Sequence, residues 1–168
     1  MEMVQPIRRY RAANPGKALR ILELGPGTGP ITEIICQSMR PADSLDIVEI
    51  DQRFYKDIHA RFSGPRVRVF NLDVLDFQVK QPYDVIISSI PYEQIPVGIT
   101  RKIWKKKLDI IAAGGSIAYY KYYRFNHFSC HFEREINRAY CTHEKMIWRN
   151  VPPAIAYHLT LPQAELPS

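Results

Sequence analysis

The feature that most constrains the fold is a set of three alternate glycines between a predicted strand and a predicted helix. The glycines belong to the segment Gly25-Pro26-Gly27-Thr28-Gly29, which follows the apolar residues 18–24 and precedes Pro30. Glycine allows the backbone to approach a ligand closely, and the first turn of the following helix presents free N–H groups. A purely structural turn seldom needs three glycines at this spacing. The sequence therefore predicts a bound ligand at the carboxyl end of the first strand.

Strands and helices alternate along the chain from this point. The predicted strands cover residues 18–24, 45–50, 67–71, 85–89, 116–123, about 143–149, and 154–161, and the predicted helices cover 30–39, 52–62, 97–111 and 126–139. Strands joined by helices form right-handed crossovers and a mainly parallel sheet with helices on both faces. Only residues 150–153 separate the last two strands, so we expect an antiparallel terminal hairpin. The pattern predicts an α/β protein with a seven-stranded sheet.

The chain has the length and composition of a single domain. We place this domain at residues 18–161, between a basic N-terminal segment (1–17) and a tail (162–168), both expected to be loosely attached. No uncharged apolar run reaches the about 18 residues that span a bilayer, and the N-terminus lacks the apolar core of a signal peptide. Cys36, Cys130 and Cys141 are widely spaced and odd in number, which indicates reduced thiols and a cytoplasmic protein. Neither the cysteines nor the histidines have metal-ligand spacing, so we expect no metal site.

Charge is distributed unevenly. The net charge is +6, with basic clusters in residues 8–20 and 101–107 and many acidic residues in 43–84. Such a separation indicates an anionic partner, either a membrane surface or a nucleic acid. A solvated helix face explains the cluster at 101–107 equally well.

The spacing of the glycines narrows the class of ligand. The dinucleotide-binding pattern G-x-G-x-x-G would require a glycine at position 30, which is Pro30. An acid, Glu49, follows Gly29 by 20 residues (49 − 29) at the end of the second strand, where a carboxylate can accept both ribose hydroxyls. Asp51 is the alternative for this role, or else caps the next helix. Together with an acid after the third strand, Asp73, this arrangement resembles motif I and its partners in class I S-adenosylmethionine-dependent methyltransferases.

The resemblance implies a Rossmann-like fold, S-adenosyl-L-methionine as cofactor, and a role for each matching residue. Asp73 would bind the adenine amino group with the next backbone N–H near the ring, although a turn-forming Asp is the alternative. Glu23 would act at the methionine end, through the glycine loop or a water molecule. The implied cofactor-binding residues are Glu23, Gly25, Pro26, Gly27, Thr28, Gly29, Glu49, Ile50, Asp73, Val74 and Ser89.

The fourth strand ends in Ser89-Ile90-Pro91-Tyr92. This segment resembles the Asn-Leu-Pro-Tyr motif of amino-methyltransferases, in which a side-chain oxygen and a backbone carbonyl orient a nitrogen while the ring stacks on it. Ser89 replaces the Asn, so one acceptor remains and the bidentate amide is lost. The implied catalytic residues are Ser89, Pro91 and Tyr92, and a plain strand-terminating turn is the alternative. The serine version of the motif, and residues 148–154, are similar to the bacterial phospholipid N-methyltransferase family.

An aromatic segment, residues 119–125, ends the fifth strand and is expected to border the cofactor cleft, because ligands of open α/β sheets lie at the carboxyl ends of strands. Its tyrosines, with Lys121 and Arg124, could bind a phosphate and an alkylammonium, or could stack a base. Alternate tyrosines are equally expected in the core.

The resemblance implies an N-methyltransferase acting on a phosphatidylethanolamine-type head group, peripheral on the inner face of the membrane. The second hypothesis is an enzyme similar to the rRNA adenine N6-dimethyltransferases. Ser89, and the few residues after Leu161, distinguish the sequence from that family. A catalytically silent cofactor-binding module is the third hypothesis. The sequence carries no indication of the oligomeric state.

Overall fold

A computed structural model describes residues 2–123, 131–148 and 152–163 of the chain. The strands are β1 (Arg20–Leu24), β2 (Ser44–Glu49), β3 (Val67–Asn71), β4 (Tyr83–Ser88), β5 (Ile111–Tyr122), β6 (Cys141–Ile147) and β7 (Ala154–Thr160). The helices are α1 (Gln5–Ala13), α2 (Pro30–Ser38), α3 (Gln52–Phe62), α4 (Val97–Ile110) and α5 (His131–Tyr140). Short 3₁₀ turns cover Glu2–Val4 and Tyr92–Gln94.

The seven strands form one sheet in the order β3-β2-β1-β4-β5-β7-β6. Strands β1 to β5 are parallel, whereas β7 is antiparallel to both β5 and β6. The Rossmann-like methyltransferase fold and its antiparallel terminal hairpin are thereby confirmed. The strand order reverses between β1 and β4, and this topological switch point opens a crevice at the carboxyl ends of the strands.

Two hydrophobic cores lie on opposite faces of the sheet. One face carries α4 and α5, and its core includes Trp104, Tyr119 and Ile136. The other face carries α1, α2 and α3, with Ile35 and Ile58 in its core. Helices therefore cover both faces, because buried parallel strands expose apolar side chains on each side.

The N-terminal residues are part of the folded unit, which corrects the expectation that residues 1–17 are loosely attached. The apolar side chains at positions 3, 4, 7 and 10 recur at helical spacing and are buried against the second core. The hydroxyl of Tyr10 donates to Asp84 on β4 (3.0 Å), and Lys17 forms an ion pair with the same carboxylate (2.6 Å). Sequence reasoning missed this helix because its four polar and basic residues are a large part of a short segment.

Two further boundaries differ from the predictions. β5 begins at Ile111 rather than at residue 116, and it continues through Gly114 and Gly115. Gly114 has a φ of +70° and the β4–β5 register shifts beside it, so the glycines form an irregularity within a strand. The predicted helix over 126–139 is described from His131 onward, and residues 124–130 lie outside the described ranges. No helix in those ranges is long and apolar enough to cross a membrane.

Candidate cofactor and acceptor site

The glycine turn after β1 has the backbone that its sequence requires. Gly25, Gly27 and Gly29 all have positive φ values, of 67°, 56° and 84°, a region that favours glycine strongly. The N–H of Gly25 donates to the carbonyl of Val48 on the neighbouring strand (2.9 Å). Gly29 caps α2, and a β-carbon there would lie 2.6 Å from Ile58 Cδ1. Conformation and close packing therefore both explain the third glycine.

Glu49 connects the glycine turn to the end of β2. Its carboxylate accepts hydrogen bonds from the N–H of Gly27 (3.2 Å) and from the N–H of Asp51 (2.9 Å). The side-chain amide of Asn71, at the end of β3, donates to the Glu49 carbonyl (2.8 Å). Asp51 itself caps α3, accepting from the N–H of Arg53 (2.8 Å). The predicted preference for Glu49 as the ribose ligand is consistent with this geometry and stays a prediction.

A cleft of about 520 Å³ lies at the carboxyl ends of β1, β2 and β4. Its size is within the usual range for small-molecule sites. The predicted site residues that line it are Gly25, Gly27, Glu49, Ile50, Asp73, Val74, Ser89 and Pro91. Five predicted residues do not line it: Glu23, Pro26, Thr28, Gly29 and Tyr92. Three of these five residues, Pro26, Thr28 and Gly29, belong to the glycine turn itself.

Glu23 is fully buried beneath the turn, not in the cleft. One carboxylate oxygen accepts from the hydroxyl of Thr32 on α2 (2.7 Å), and the other has no hydrogen-bond partner among the described residues. Burial raises the pKa of Glu23 to about 8, opposed by the Thr32 bond and reinforced by the nearby Glu49. Any influence of Glu23 on the ligand is therefore transmitted through α2 and the turn.

The structure is compatible with both alternatives for Asp73, an adenine ligand or a turn-forming aspartate, and its role at the adenine stays a prediction. It lines the cleft, and its Oδ1 accepts from the N–H of Leu75 (2.8 Å), which makes it a turn-forming aspartate as well. Val74, the next residue, also lines the cleft.

The acceptor motif divides into residues inside the cleft and one outside it. Ser89 lines the cleft, its N–H donates to the Leu24 carbonyl (2.8 Å), and its hydroxyl has no partner among the described residues. Pro91 is exposed at the rim. The Tyr92 ring, in contrast, is buried in the core, so the expectation that it stacks on an acceptor nitrogen is wrong for this structure. A 3₁₀ turn that begins at Tyr92 rotates its side chain inward.

Tyr92 belongs to a buried polar cluster that we define as Ser88, Tyr92, Lys107, Tyr119 and Asn137. The hydroxyl of Tyr92 bonds to the Ser88 hydroxyl (2.7 Å) and accepts from Lys107 Nζ (2.9 Å), while Tyr119 and Asn137 hydrogen bond to each other (2.9 Å). The rings of Tyr92 and Tyr119 meet edge-on at 6.1 Å. Burial raises the pKa of Tyr92 and lowers the pKa of Lys107 well below its ordinary value. Tyr92 therefore stays protonated and cannot serve as a base.

Lys107 packs against aromatic faces. Its Nζ lies 3.0 Å from the centroid of the Trp104 ring, and the side chain is completely buried. A basic cluster at 101–107 was expected to be solvated or to meet an anion, and this lysine does neither. Arg101, Lys102 and Lys105 on the same helix are exposed.

The aromatic segment at the end of β5 is largely internal. Tyr119 is fully buried, and Lys121 forms a buried ion pair with Glu133 on α5 (2.8 Å). Lys121 is thus not placed to bind a phosphate, which corrects that expectation. Arg124 and Phe125 lie outside the described residues. Tyr123 is exposed over about half of its surface.

Sequence reasoning missed the apolar walls of the cleft. On α4 and the turn before it, Ile95, Ile99 and Ile103 line one side at the i, i+4 spacing of a helix face. Phe54, on the first turn of α3, lines the other side. This spacing is visible in the sequence, but it is equally typical of a helix face that is buried in the core.

The residues of the cleft fit S-adenosylmethionine. A carboxylate, Glu49, faces the glycine turn, and a second acid, Asp73, lies beside the apolar residues Ile50 and Val74. A carboxylate suits a ribose diol, whereas apolar walls suit an adenine ring. A β-carbon at Gly27 would meet nothing within 4 Å, so the turn leaves open space at its centre.

A family model described as "Ribosomal RNA adenine dimethylase" matches residues 8–122, more than half of the chain. The chain belongs to the ribosomal RNA adenine dimethylase family. It is an S-adenosylmethionine-dependent methyltransferase, which confirms the predicted enzyme class.

Relatives of this methyltransferase act on different acceptors. Ornithine lipid N-methyltransferase from Singulisphaera acidiphila is 25% identical over 158 residues, covering 82% of this chain and 73% of the relative. Ribosomal RNA small subunit methyltransferase A from Ureaplasma urealyticum is 40% identical over 107 residues, covering 57% of this chain and 37% of the relative. The chain thus spans little more than a third of the length of the latter enzyme.

Solved structures share the fold at low sequence identity. The N-methyltransferase NodS from Bradyrhizobium japonicum, in complex with S-adenosyl-L-homocysteine, has a TM-score of 0.75 at 14% identity, covering 96% of this chain and 86% of NodS. The amino pentose methyltransferase CalS10 from Micromonospora echinaspora, with S-adenosylmethionine bound, has a TM-score of 0.69 at 15% identity, covering 95% and 90%. These likenesses support the fold.

Proposed function

We propose that this methyltransferase transfers the methyl group of S-adenosylmethionine to the primary amine of a membrane lipid of the phosphatidylethanolamine type. The observation that carries the proposal is an apolar rim around the mouth of the cleft. The rim consists of Ile50, Phe54 and Ile99, which line the cleft, together with Val97, which begins the same helix as Ile99. Ile50 and Val97 are 68% and 62% exposed. Four exposed apolar side chains in and beside one opening indicate contact with a partner.

The charge around the rim favours a lipid surface. Arg101, Lys102 and Lys105 follow Val97 and Ile99 on α4 and are exposed. Each basic residue near an anionic bilayer contributes about 1 kcal/mol to binding. An apolar rim beside basic side chains matches the boundary between the acyl chains and the phosphates of a lipid surface. The ornithine lipid enzyme, aligned over most of both chains, supports the same class of acceptor.

The residues of the cleft have distinct roles in the proposed reaction. Glu49 would hold the ribose and Asp73 the adenine, with Val74 beside the ring. Bound S-adenosylmethionine supplies an electrophilic methyl group, so the protein chiefly has to align the acceptor nitrogen with it. The Ser89 hydroxyl has no partner among the described residues, and we assign to it the acceptor amine, with a backbone carbonyl of the Ser89–Pro91 segment as second acceptor. The ammonium group of the lipid must lose a proton before the transfer, since its pKa near 10 leaves little free amine at pH 7. We assign water as the acceptor of that proton.

A methyl-transfer assay tests the proposal directly. S-adenosylmethionine labelled in the methyl group is offered together with phosphatidylethanolamine vesicles, ornithine lipid vesicles, or total RNA. We expect label in a lipid fraction. Label in RNA alone would contradict the lipid proposal and support the second hypothesis, an RNA adenine methyltransferase, which the matching family model favours.

Rim variants separate membrane contact from chemistry. We expect Val97→Ser combined with Ile99→Ser to reduce lipid methylation at least tenfold and to leave binding of S-adenosylhomocysteine within twofold. Trp148→Ser is the matched control, because Trp148 is 71% exposed and does not line the cleft. Equal loss in the control and the rim variant would contradict the role of the rim.

A further inference from the structure

Two histidines face each other across the terminal hairpin, far from the cofactor cleft. The β6–β7 register pairs His143 directly with His158, and their ring centroids are 5.1 Å apart. Residues opposite each other on antiparallel strands project to the same side of the sheet, and the ladder fixes their separation. The pair is therefore a rigid arrangement of two imidazoles.

A carboxylate from the N-terminus completes a group of three. Oε1 of Glu2, in the first 3₁₀ turn, lies 3.1 Å from His143 Nε2. One ligand atom from each of Glu2, His143 and His158 lies within 4.8 Å of the other two. Side chains separated by more than 140 positions thus converge, and this convergence depends on the N-terminal turn packing beside the hairpin.

The histidine on β7 carries a second, independent indication. His158 is 2% exposed, yet its Nε2 has no hydrogen-bond partner among the described residues. A buried polar atom without a partner destabilises the folded state, so a ligand bound at this nitrogen would remove that destabilisation. A groove of about 770 Å³, lined by Glu2, Lys145 and Trp148 among others, opens beside the carboxylate of the group, although neither histidine lines it.

We propose that Glu2, His143 and His158 form a binding site for one zinc ion. Two imidazole nitrogens and one carboxylate oxygen are a ligand set that zinc accepts, with water in the fourth tetrahedral position. Glu2 and His143 already have the separation of two ligands on a tetrahedral ion. The contacts with His158 need to shorten by about 1 Å or more, because the three ligand atoms lie within 4.8 Å of one another. The ion would tie the N-terminal turn to the terminal hairpin.

Two cations shape the site and lower its expected affinity. Lys145 Nζ lies 3.0 Å from Oε2 of Glu2, so it holds the oxygen that does not face His143. Arg9 Nη1 lies 3.4 Å from Nδ1 of His158, which is a long contact. When Nε2 of His158 binds a metal, the imidazole proton moves to Nδ1, and the contact with Arg9 must then be released. Because both cations repel a dication, we expect micromolar rather than nanomolar binding.

Calorimetric titration of the untagged full chain with zinc chloride tests the proposal. We expect one equivalent of zinc per chain and a rise in the thermal midpoint on binding. Cobalt(II) in place of zinc should give ligand-field bands without a thiolate charge-transfer band, which separates this site from the cysteines. No saturable binding, or a thiolate band, would overturn the proposal.

Single substitutions locate the site. We expect His143→Gln and Glu2→Gln each to weaken zinc binding at least tenfold, with melting curves of the zinc-free variants confirming that they fold. His131→Gln is the matched control, because His131 is exposed on α5, where it forms an ion pair with Glu135, and it is not one of the three proposed ligands. Zinc binding that survives both site variants, or that falls equally in the control, would overturn the assignment. The result does not depend on which acceptor the enzyme methylates.

Discussion

The two halves of the active region are built in different ways. On the cofactor side, the glycine turn, Glu49 and Asp73 follow three successive strands, and backbone N–H groups bind the Glu49 carboxylate. On the acceptor side, the buried polar cluster joins side chains from β4, α4, β5 and α5 that are distant in sequence. The first half depends on local backbone conformation, whereas the second depends on long-range packing.

This difference explains what the sequence could reveal. Positive φ values and short strand-to-helix turns impose residue types at fixed spacing, so Gly25, Gly27 and Glu49 were recognisable without a structure. The environment of Tyr92 depends on Lys107, fifteen positions away, and on α5. No local pattern specifies those contacts, and the ring was therefore placed in the wrong environment.

The largest effect is expected on the cofactor side, from Glu49→Gln. The charged carboxylate would hold two ribose hydroxyls, and each hydrogen bond to a charged group contributes about 1.5–3 kcal/mol. We expect S-adenosylhomocysteine to bind at least about 100-fold more weakly, measured by isothermal titration calorimetry. Asp51→Asn is the control, because Asp51 lines the cleft but caps α3. A larger loss in the control would transfer the ribose role to Asp51.

The next largest effect concerns two glycines of the same turn. Gly29→Ala adds a β-carbon 2.6 Å from Ile58 Cδ1 at a φ of +84°, whereas Gly27→Ala, at +56°, meets no atom within 4 Å. A left-handed conformation costs an L-residue about 1–2 kcal/mol, and overpacking adds about 1–3 kcal/mol. Urea unfolding should show Gly29→Ala to be the less stable variant. Equal stability would mean that α3 yields to the added methyl group.

The fold was easier to predict than the side-chain environments. The bounds of α3 and β3 agree with the ranges predicted for them, because turn residues such as Ser63-Gly64-Pro65 lie between the two elements. The helix α1 was missed because its buried stripe, which includes Ile7 and Tyr10, is interrupted by arginines. The metal ligands proposed above were also invisible, since strand register, rather than spacing along the chain, brings His143 opposite His158.

An effect of a different kind, one that depends on pH, is expected from Glu23→Gln. Burial raises the Glu23 pKa to about 8, so the native state holds a proton that the unfolded state releases above about 4.5. The stability associated with this protonated form is present below pH 4.5 and is lost as pH rises through 8, at about 1.4 kcal/mol per pH unit between these values. The variant should therefore gain stability relative to the wild type from pH 5 to pH 8 in urea unfolding. A difference that does not change with pH would show that Glu23 is ionised.

The smallest effect is expected on the acceptor side, from Lys107→Met, and its pH dependence runs in the opposite direction. Burial lowers the Lys107 pKa, so the native state favours the neutral amine while the unfolded state binds a proton below about 10.4. The wild type therefore loses stability as pH falls from that value toward the native pKa, and methionine removes this loss. Tyr92 keeps its bond to Ser88 in the variant, so we expect a change within about 1 kcal/mol at pH 9.5 and a relative gain at pH 7. The contrary outcome is a free energy of unfolding at pH 7 that is lower in the variant by more than about 2 kcal/mol. In that case the amine stabilises the cluster, and the acceptor side depends on its polar contacts as strongly as the cofactor side does.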